Sequence, residues 1–422
     1  MQEKELTQKQ KRSRSVPLGA VIVIALICVL VTFMCTYVLV TQKYIKDVQS
    51  LNLQTGGLPD DAFNKLVQIK QILGSDFLYD IDDEAVADMV LKGYMYGTGD
   101  PYAEYFTKEE FAALMADTNA EMQGIGISVA SNAKYNAVQI IAVFPESPAL
   151  EAGVLPGDLI AYVKVDGEYQ SVSELGYTMA LSALQGEAGT RAEFKVLRGD
   201  DYSESVEFSI ERGFITEYTV MHRVYSEDST VGIINITSFD KKTPEQFKAA
   251  YDTLVNEKGC TRLVVDVRNN PGGELVSVCT VLDMLVPEGP VIRTVDKAGN
   301  EEVVYTSDKN ETKVPMAVLV NGNTASAGEL FAACLSDYDK AALVGEKTFG
   351  KGSMQTTRSF DDGTAFKYTY RYYCPPYSDN YDGVGITPDV EAELSEDALS
   401  HFYTMTDGED TQLQRAVEEL NK

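Results

Sequence analysis

Three features of this chain suit acyl-transfer chemistry: a serine among small neighbours, a lysine in a glycine loop, and paired glycines after an apolar strand. Ser326 lies in Ala325-Ser326-Ala327-Gly328, between the apolar run Met316–Val320 and the amphipathic run Glu329–Leu335. That is strand, tight turn and helix, with the hydroxyl at the helix start. Serine is also a common helix N-cap, so its position alone has a structural explanation. The small flanking residues leave room for a substrate carbonyl. The Ala327 N–H falls in the first helical turn, where it lacks an intrahelical acceptor and the helix dipole is positive.

Lys351 stands between Gly350 and Gly352, after a second apolar run, Ala341–Val344. An ordinary lysine, with a pKa of about 10.4, is no base at neutral pH. Desolvation among apolar walls such as Phe349 lowers it, and Gln355, four residues on, is placed to orient the amine. The third piece is Arg268-Asn269-Asn270-Pro271-Gly272-Gly273, which follows the strand-like RLVVDV. A glycine amide there, paired with the Ala327 N–H, would make an oxyanion hole. Losing one such donor typically costs about 10²–10³ in rate.

Other chemistries fit poorly. Gly345–Lys351 has the GxxxxGK spacing of a phosphate loop, but Gly352 follows where a Ser or Thr should bind magnesium. The two histidines, His222 and His401, neighbour no second ligand or nucleophile, so a zinc site or a Ser-His-Asp triad is hard to build. Cys260, Cys279, Cys334 and Cys374 show no metal-ligand spacing. No metal or cofactor is implied.

The elements that must position these residues follow from the rest of the chain. Val16–Val40 carries no charge over 25 residues and, at about 1.5 Å per residue, is long enough for a bilayer core of about 30 Å. Lys4, Lys9, Lys11, Arg12 and Arg14 precede it, against Glu3 and Glu5. The lysine and arginine bias puts residues 1–15 in the cytoplasm and the body outside, with 16–40 as a transmembrane signal anchor in the cell membrane and 41–57 as a linker. Taking the tail's five positive and two negative charges from the total of −28 leaves −31 for the body. So acidic a body argues against nucleic acid as partner.

Residues 58–119 read as a helical region, with patterns over 59–73, 83–96 and 108–117 interrupted by GTGDPYAEYF. From 120 to 212 the texture turns to short β-like runs around one helix, Ser173–Leu184. The loop Gln123-Gly124-Ile125-Gly126-Ile127, followed by SPAxxAGVLPGD and VDG, strongly resembles a PDZ domain. That resemblance implies a groove that takes a peptide C-terminus by strand addition, its terminal carboxylate held at Gly124, Ile125, Gly126 and Ile127. Residues 213–394 alternate strands and helices, the pattern of a layered α/β core. Residues 395–422 close the chain with helical pieces whose apolar faces, with those of 58–118, suggest a homodimer.

Taken together, the chain resembles the carboxyl-terminal processing proteases, the S41-type tail-specific serine peptidases with a PDZ domain. DPYAEYF, NGNTASAGE, GEKTFGKGSMQ and GVGITPDV carry the likeness. It implies a crotonase/ClpP-like β/α catalytic core, Ser326 as nucleophile, Lys351 as general base and Gln355 as its partner. It also implies oxyanion amides from Gly272 (or Gly273) and Ala327, and protein substrates cut near their C-termini. Two departures stand out: Gln185 where the family often has a basic residue, and CPPYSDNYD (374–382) in place of a PxGRxIQ run. The alternative function is a non-catalytic PDZ scaffold that binds protein C-termini.

Overall fold

The computed structural model describes residues 34, 36, 60–119, 122–132, 134–199 and 201–422. The expected cytoplasmic tail (1–15), anchor (16–40) and linker (41–57) fall outside these, apart from Met34 and Thr36. Among the described residues no helix is long and apolar enough to cross a membrane. The chain divides into two compact units, 1–87 and 88–422.

The first elements are α1 (Asp60–Asp76), α2 (Asp83–Gly97), β1 (Glu104–Phe106) and α3 (Lys108–Asn119). The Asp82 carboxylate accepts from the Glu84 and Ala85 amides, both at 3.0 Å, and so starts α2. Region 58–119 is therefore not wholly helical, because β1 interrupts it.

The described residues of 122–212 form a six-stranded antiparallel sheet, ordered β2-β3-β4-β5-β6 with Glu168–Ser171 also paired to β4. Its strands are β2 (Ile127–Asn132), β3 (Ala137–Val143), β4 (Leu159–Val165), β5 (Arg191–Arg198) and β6 (Glu204–Glu211), with α4 (Tyr177–Leu184) packed on them. The helix expected over Ser173–Leu184 is two helices, because Gly176 at φ 85° parts Val172–Leu175 from α4. At the base of this region Gln123–Gly124 pairs with Gly213–Phe214.

The rest of the chain supplies, in order, β7 (Val220–Val224), β8 (Val231–Ile236), α5 (Thr243–Tyr251), β9 (Arg262–Asp266), α6 (Leu275–Asp283), β10 (Gly289–Asp296) and β11 (Glu301–Ser307). Then come β12 (Met316–Val320), α7 (Ala327–Asp337), β13 (Ala341–Gly345), β14 (Ser353–Ser359), β15 (Ala365–Cys374), β16 (Val390–Glu391) and α8 (Thr411–Glu419). The central sheet runs β7-β8-β9-β12-β13-β16, parallel except for β7.

Alternation along its strands sends Leu263, Val265, Val318 and Val320 to a face covered by α5, α6 and α7. Val264, Ala317 and Leu319 go to the other face, under Leu413, Ala416 and Val417 of α8. Burial on both faces explains why these strands read as unbroken apolar runs. It also corrects the expectation for 395–422, since the apolar face of α8 is spent on its own core.

A second sheet, β1-β15-β10-β11 with β14 also on β15, is antiparallel throughout. In it Tyr105 pairs with Phe366, so Glu104–Phe106 lies beside the strand next to the lysine's loop.

α8 is held by charge as well as by packing. The Arg268 guanidinium, 5% exposed, bridges Asp266 at 2.7 Å and Asp410 at 2.8 Å, and it also donates to Gln412. Removing one partner of a buried pair leaves charge uncompensated, at a typical cost of 3–5 kcal/mol. Arg268→Ala is therefore expected to destabilise the fold by roughly 3–5 kcal/mol in denaturant unfolding. A loss within about 1 kcal/mol would mean that the two aspartates find other partners.

Candidate active site

The loops after β9 and β12 meet at the C-terminal ends of parallel strands, where open α/β sheets commonly bind ligands. Asparagines stitch them together. Asn269 N–H donates to Asn321 Oδ1 at 2.9 Å, and the amides of Asn321 and Asn323 donate to Asn269 Oδ1 at 3.0 and 2.9 Å. Fully buried Thr324 donates to the Val267 carbonyl at 2.8 Å. The buried Asn270 side chain donates to Ile236 O, and its backbone carbonyl receives the Ala325 N–H at 2.9 Å.

Ser326 precedes α7 in a strained conformation, φ 54° and ψ −117°. Such backbone costs of order 1–3 kcal/mol for a residue with a Cβ and persists only when its surroundings hold it. They do. Gly272, at φ 107°, presses so close that a Cβ there would lie 2.7 Å from Ser326 Cβ and 2.9 Å from Ala327 N. Glu329 holds the other side, its carboxylate accepting the Ser326 N–H at 3.0 Å in a capping-box arrangement.

The same carboxylate fixes the lysine loop. Glu329 is fully buried and accepts from Lys351 N at 2.8 Å, Gly350 N at 2.7 Å and Thr348 Oγ1 at 2.5 Å. The Ser326 and Lys351 backbones thus hang from one side chain. Sequence reasoning assigned Glu329 no role. The signal was present, because a glutamate three residues after a serine is the capping-box spacing.

The Lys351 side chain is half-buried. Burial pushes its pKa below the ordinary lysine value, aided by Lys367 and opposed by Asp382. Its Nζ lies over the Tyr102 ring, 4.6 Å from the centroid. Among the described residues it makes no hydrogen bond to the Ser326 hydroxyl. Gln355 is not on the amine either, since its Nε2 donates to Thr369 Oγ1 at 3.1 Å and to Ser353 at 3.4 Å. Two buried tyrosines close the floor. Tyr373 donates to Lys351 O, and Tyr381 donates to Ser326 O at 3.4 Å. Both belong to the run Tyr372–Asp382, where Asp382 also accepts Gly352 N at 2.9 Å.

Of the expected oxyanion donors, the Ala327 N–H is uncommitted among the described residues. The Gly272 N–H donates to Asn270 Oδ1 at 2.8 Å. The neighbouring Gly273 N–H has no acceptor among the described residues, so it is the glycine amide left to receive charge. Gly273 must be glycine, because a Cβ would fall 2.0 Å from Phe239 O.

Gly124, Ile125, Gly126 and Ile127 lie apart from this constellation. They line a cavity of about 210 Å³ with Leu181 and Leu184 of α4. The Ile125 and Gly126 N–H groups donate to no backbone carbonyl among the described residues. Gly126, at φ 81°, is packed so that a Cβ would come within 2.3 Å of Ser147 Cβ. Gln185 lines the same cavity. No metal-binding cluster occurs among the described residues, and Cys260, Cys279, Cys334 and Cys374 are free and buried.

Comparison with known proteins bears on the family and the fold. The model of peptidase family S41 matches residues 230–392. The Bacillus subtilis carboxy-terminal processing protease CtpA is 33% identical over 347 residues, 82% of this chain and 72% of that protein. A probable CtpA-like serine protease of Staphylococcus saprophyticus is 29% identical over 397 residues, 93% of this chain and 77% of that protein. A putative S41 protease from Bacteroides fragilis shares the fold at a TM-score of 0.51 and 17% identity, covering 72% of this chain and 84% of that one.

Two substitutions test the constellation. Gly272→Ala drives a methyl into Ser326 and, if this loop receives the oxyanion, is expected to lower kcat/KM about 10²-fold or more. Glu329→Gln cannot accept at both oxygens and is expected to lose Lys351 and Ser326 placement together. Full activity in Glu329→Gln would show that the loops hold themselves.

Proposed function

We propose, for a chain that belongs to peptidase family S41 of carboxy-terminal processing serine proteases, that Ser326 is the nucleophile and Lys351 its general base. Neutral Lys351 takes the hydroxyl proton as Ser326 Oγ attacks the scissile carbonyl. The oxyanion is received by the N–H groups of Ala327 and of Gly273 (or Gly272). Lys351 then returns the proton to the departing amine, and water, deprotonated by the same lysine, releases the acyl group. Gln355 orients the amine once it leaves its present position. The observation that carries the reading is the Glu329 carboxylate, which accepts amides from both Ser326 and Lys351.

Residues 120–212 are read as a PDZ domain, and the cavity at Gly124–Ile127 as the seat of a substrate's C-terminal carboxylate. Its support is two uncommitted amides beside an edge strand and an apolar groove. The apolar, uncharged stretch 16–40 with its basic N-terminal flank supports a single-span anchor with the catalytic body outside the cytoplasm. The homodimer now rests on α2, where Met89, Leu91 and Tyr94 are exposed.

Ser326→Ala and Lys351→Ala are each expected to lower kcat/KM on an unstructured protein by about 10³-fold or more without moving the melting temperature. Turnover retained in either removes it from the dyad. Because the base acts only when neutral and burial lowers its pKa, kcat/KM should rise with pH through a midpoint below about 10.4. A peptide with a free C-terminus should bind at least about tenfold tighter than its C-terminal amide. Equal affinities would exclude carboxylate recognition.

A further inference from the structure

The motif Asp100-Pro101-Tyr102 lies far from Ser326 in sequence, yet its tyrosine ring is the surface on which the lysine amine rests. Lys351 Nζ is 4.6 Å from the Tyr102 ring centroid. The turn that presents the ring is tied down at several points. Asp100 accepts Tyr102 N at 2.9 Å within the turn. It also accepts Thr369 N at 2.8 Å and Thr369 Oγ1 at 3.0 Å from β15. The same Thr369 hydroxyl accepts Gln355 Nε2 at 3.1 Å. Immediately afterwards β1 pairs with β15. One threonine thus links the turn bearing the ring to the glutamine expected to orient the amine.

A ring face attracts an ammonium ion and has no comparable pull on a neutral amine, a preference of roughly two- to thirty-fold. It therefore favours the form of lysine that cannot act as a base. The phenol is not a competing anion, because burial, with Asp382, Asp100 and Glu329 nearby, pushes its pKa up. The other groups facing Lys351 are Asp382, which favours the ammonium, and Lys367, which opposes it. Lys367 is itself paired with Glu104 at 3.0 Å. Glu329 and Tyr373 are engaged with the lysine's backbone.

We propose that Tyr102 is a positioning residue that brakes the dyad: its ring holds Lys351 as the ammonium away from the Ser326 hydroxyl, and the Asp100–Tyr102 turn shifts for catalysis to begin. The inference rests on the Ser326–Lys351 reading. It adds that the structure is a resting arrangement, and that the segment before residue 120 sets how readily the lysine is released.

The test is the pH dependence of Ser326 acylation by a fluorophosphonate probe on the full-length protein in detergent, with Ser326→Ala as the labelling control. Tyr102→Leu removes the ring face. It should move the midpoint of labelling down by roughly 0.3 to 1.5 pH units, and raise labelling at pH 7 by roughly two- to thirty-fold. Tyr102→Phe keeps the face and should hold the wild-type midpoint. Tyr102→Met is read instead if the leucine variant does not melt cooperatively. A midpoint unmoved in Leu and Met overturns the brake, whether or not labelling slows. A midpoint moved as far in Phe as in Leu overturns it too, by assigning the effect to the hydroxyl. Wild-type protein that labels no better than Ser326→Ala instead sinks the dyad reading, and the brake with it.

Discussion

A single buried carboxylate holds this active site together. Glu329 has no exposure, and placing an ionised carboxylate there costs several kcal/mol unless donors surround it. Four do: two hydrogen bonds fix the lysine loop at Gly350 and Lys351, one comes from Thr348, and one pins Ser326 in its strained turn. Hydrogen bonds to charged groups are worth about 1.5–3 kcal/mol each. Four together can meet both the desolvation and the strain at Ser326. The strain is therefore sustained by the helix the serine begins. Ser326 and Lys351 cannot drift apart without breaking that carboxylate's hydrogen bonds.

Around it, each supporting piece fixes one loop to the next. The asparagines after β9 and β12 join neighbouring strand ends, and Asn270 grips both the Gly272 amide and the Ala325 amide. The buried Arg268 then ties the first of these loops to α8. Binding of substrate would meet a preformed backbone. What is not preformed is the lysine side chain, which lies on Tyr102, and the Gln355 amide, which is engaged elsewhere. The proposed mechanism asks only these two side-chain tips and the Asp100–Tyr102 turn to move.

Much of this could be read from residue order alone. The strands over 231–236, 262–266 and 316–320, the helix after Ser326, and the serine, lysine and glycine candidates all have local signatures: periodicity, small residues, turn chemistry. What could not be read shares a cause, dependence on distant partners. β1 is strand because Ala365–Lys367 accepts it, and nothing in EYF alone distinguishes it from a break between helices. The Gly272 amide is committed because the Asn270 side chain folds back on it, a rotamer that sequence does not specify. Apolar spacing on 411–420 is the same whether the helix covers its own core or another molecule, and only the sheet's uncovered face decides. Likewise, Glu329 fits a surface capping box until Thr348, Gly350 and Lys351 arrive to bury it.

The closing helix α8 bears on how the molecule comes into being. Synthesis runs from N- to C-terminus, and β1 must wait some 260 residues for the strand that pairs with it. The second face of the central sheet stays bare until α8 arrives, and Arg268 lacks Asp410 and Gln412 until then. A nascent chain can therefore display its serine long before the loops around it are anchored. The loop that follows β9 therefore gains its last anchor only once α8 is in place.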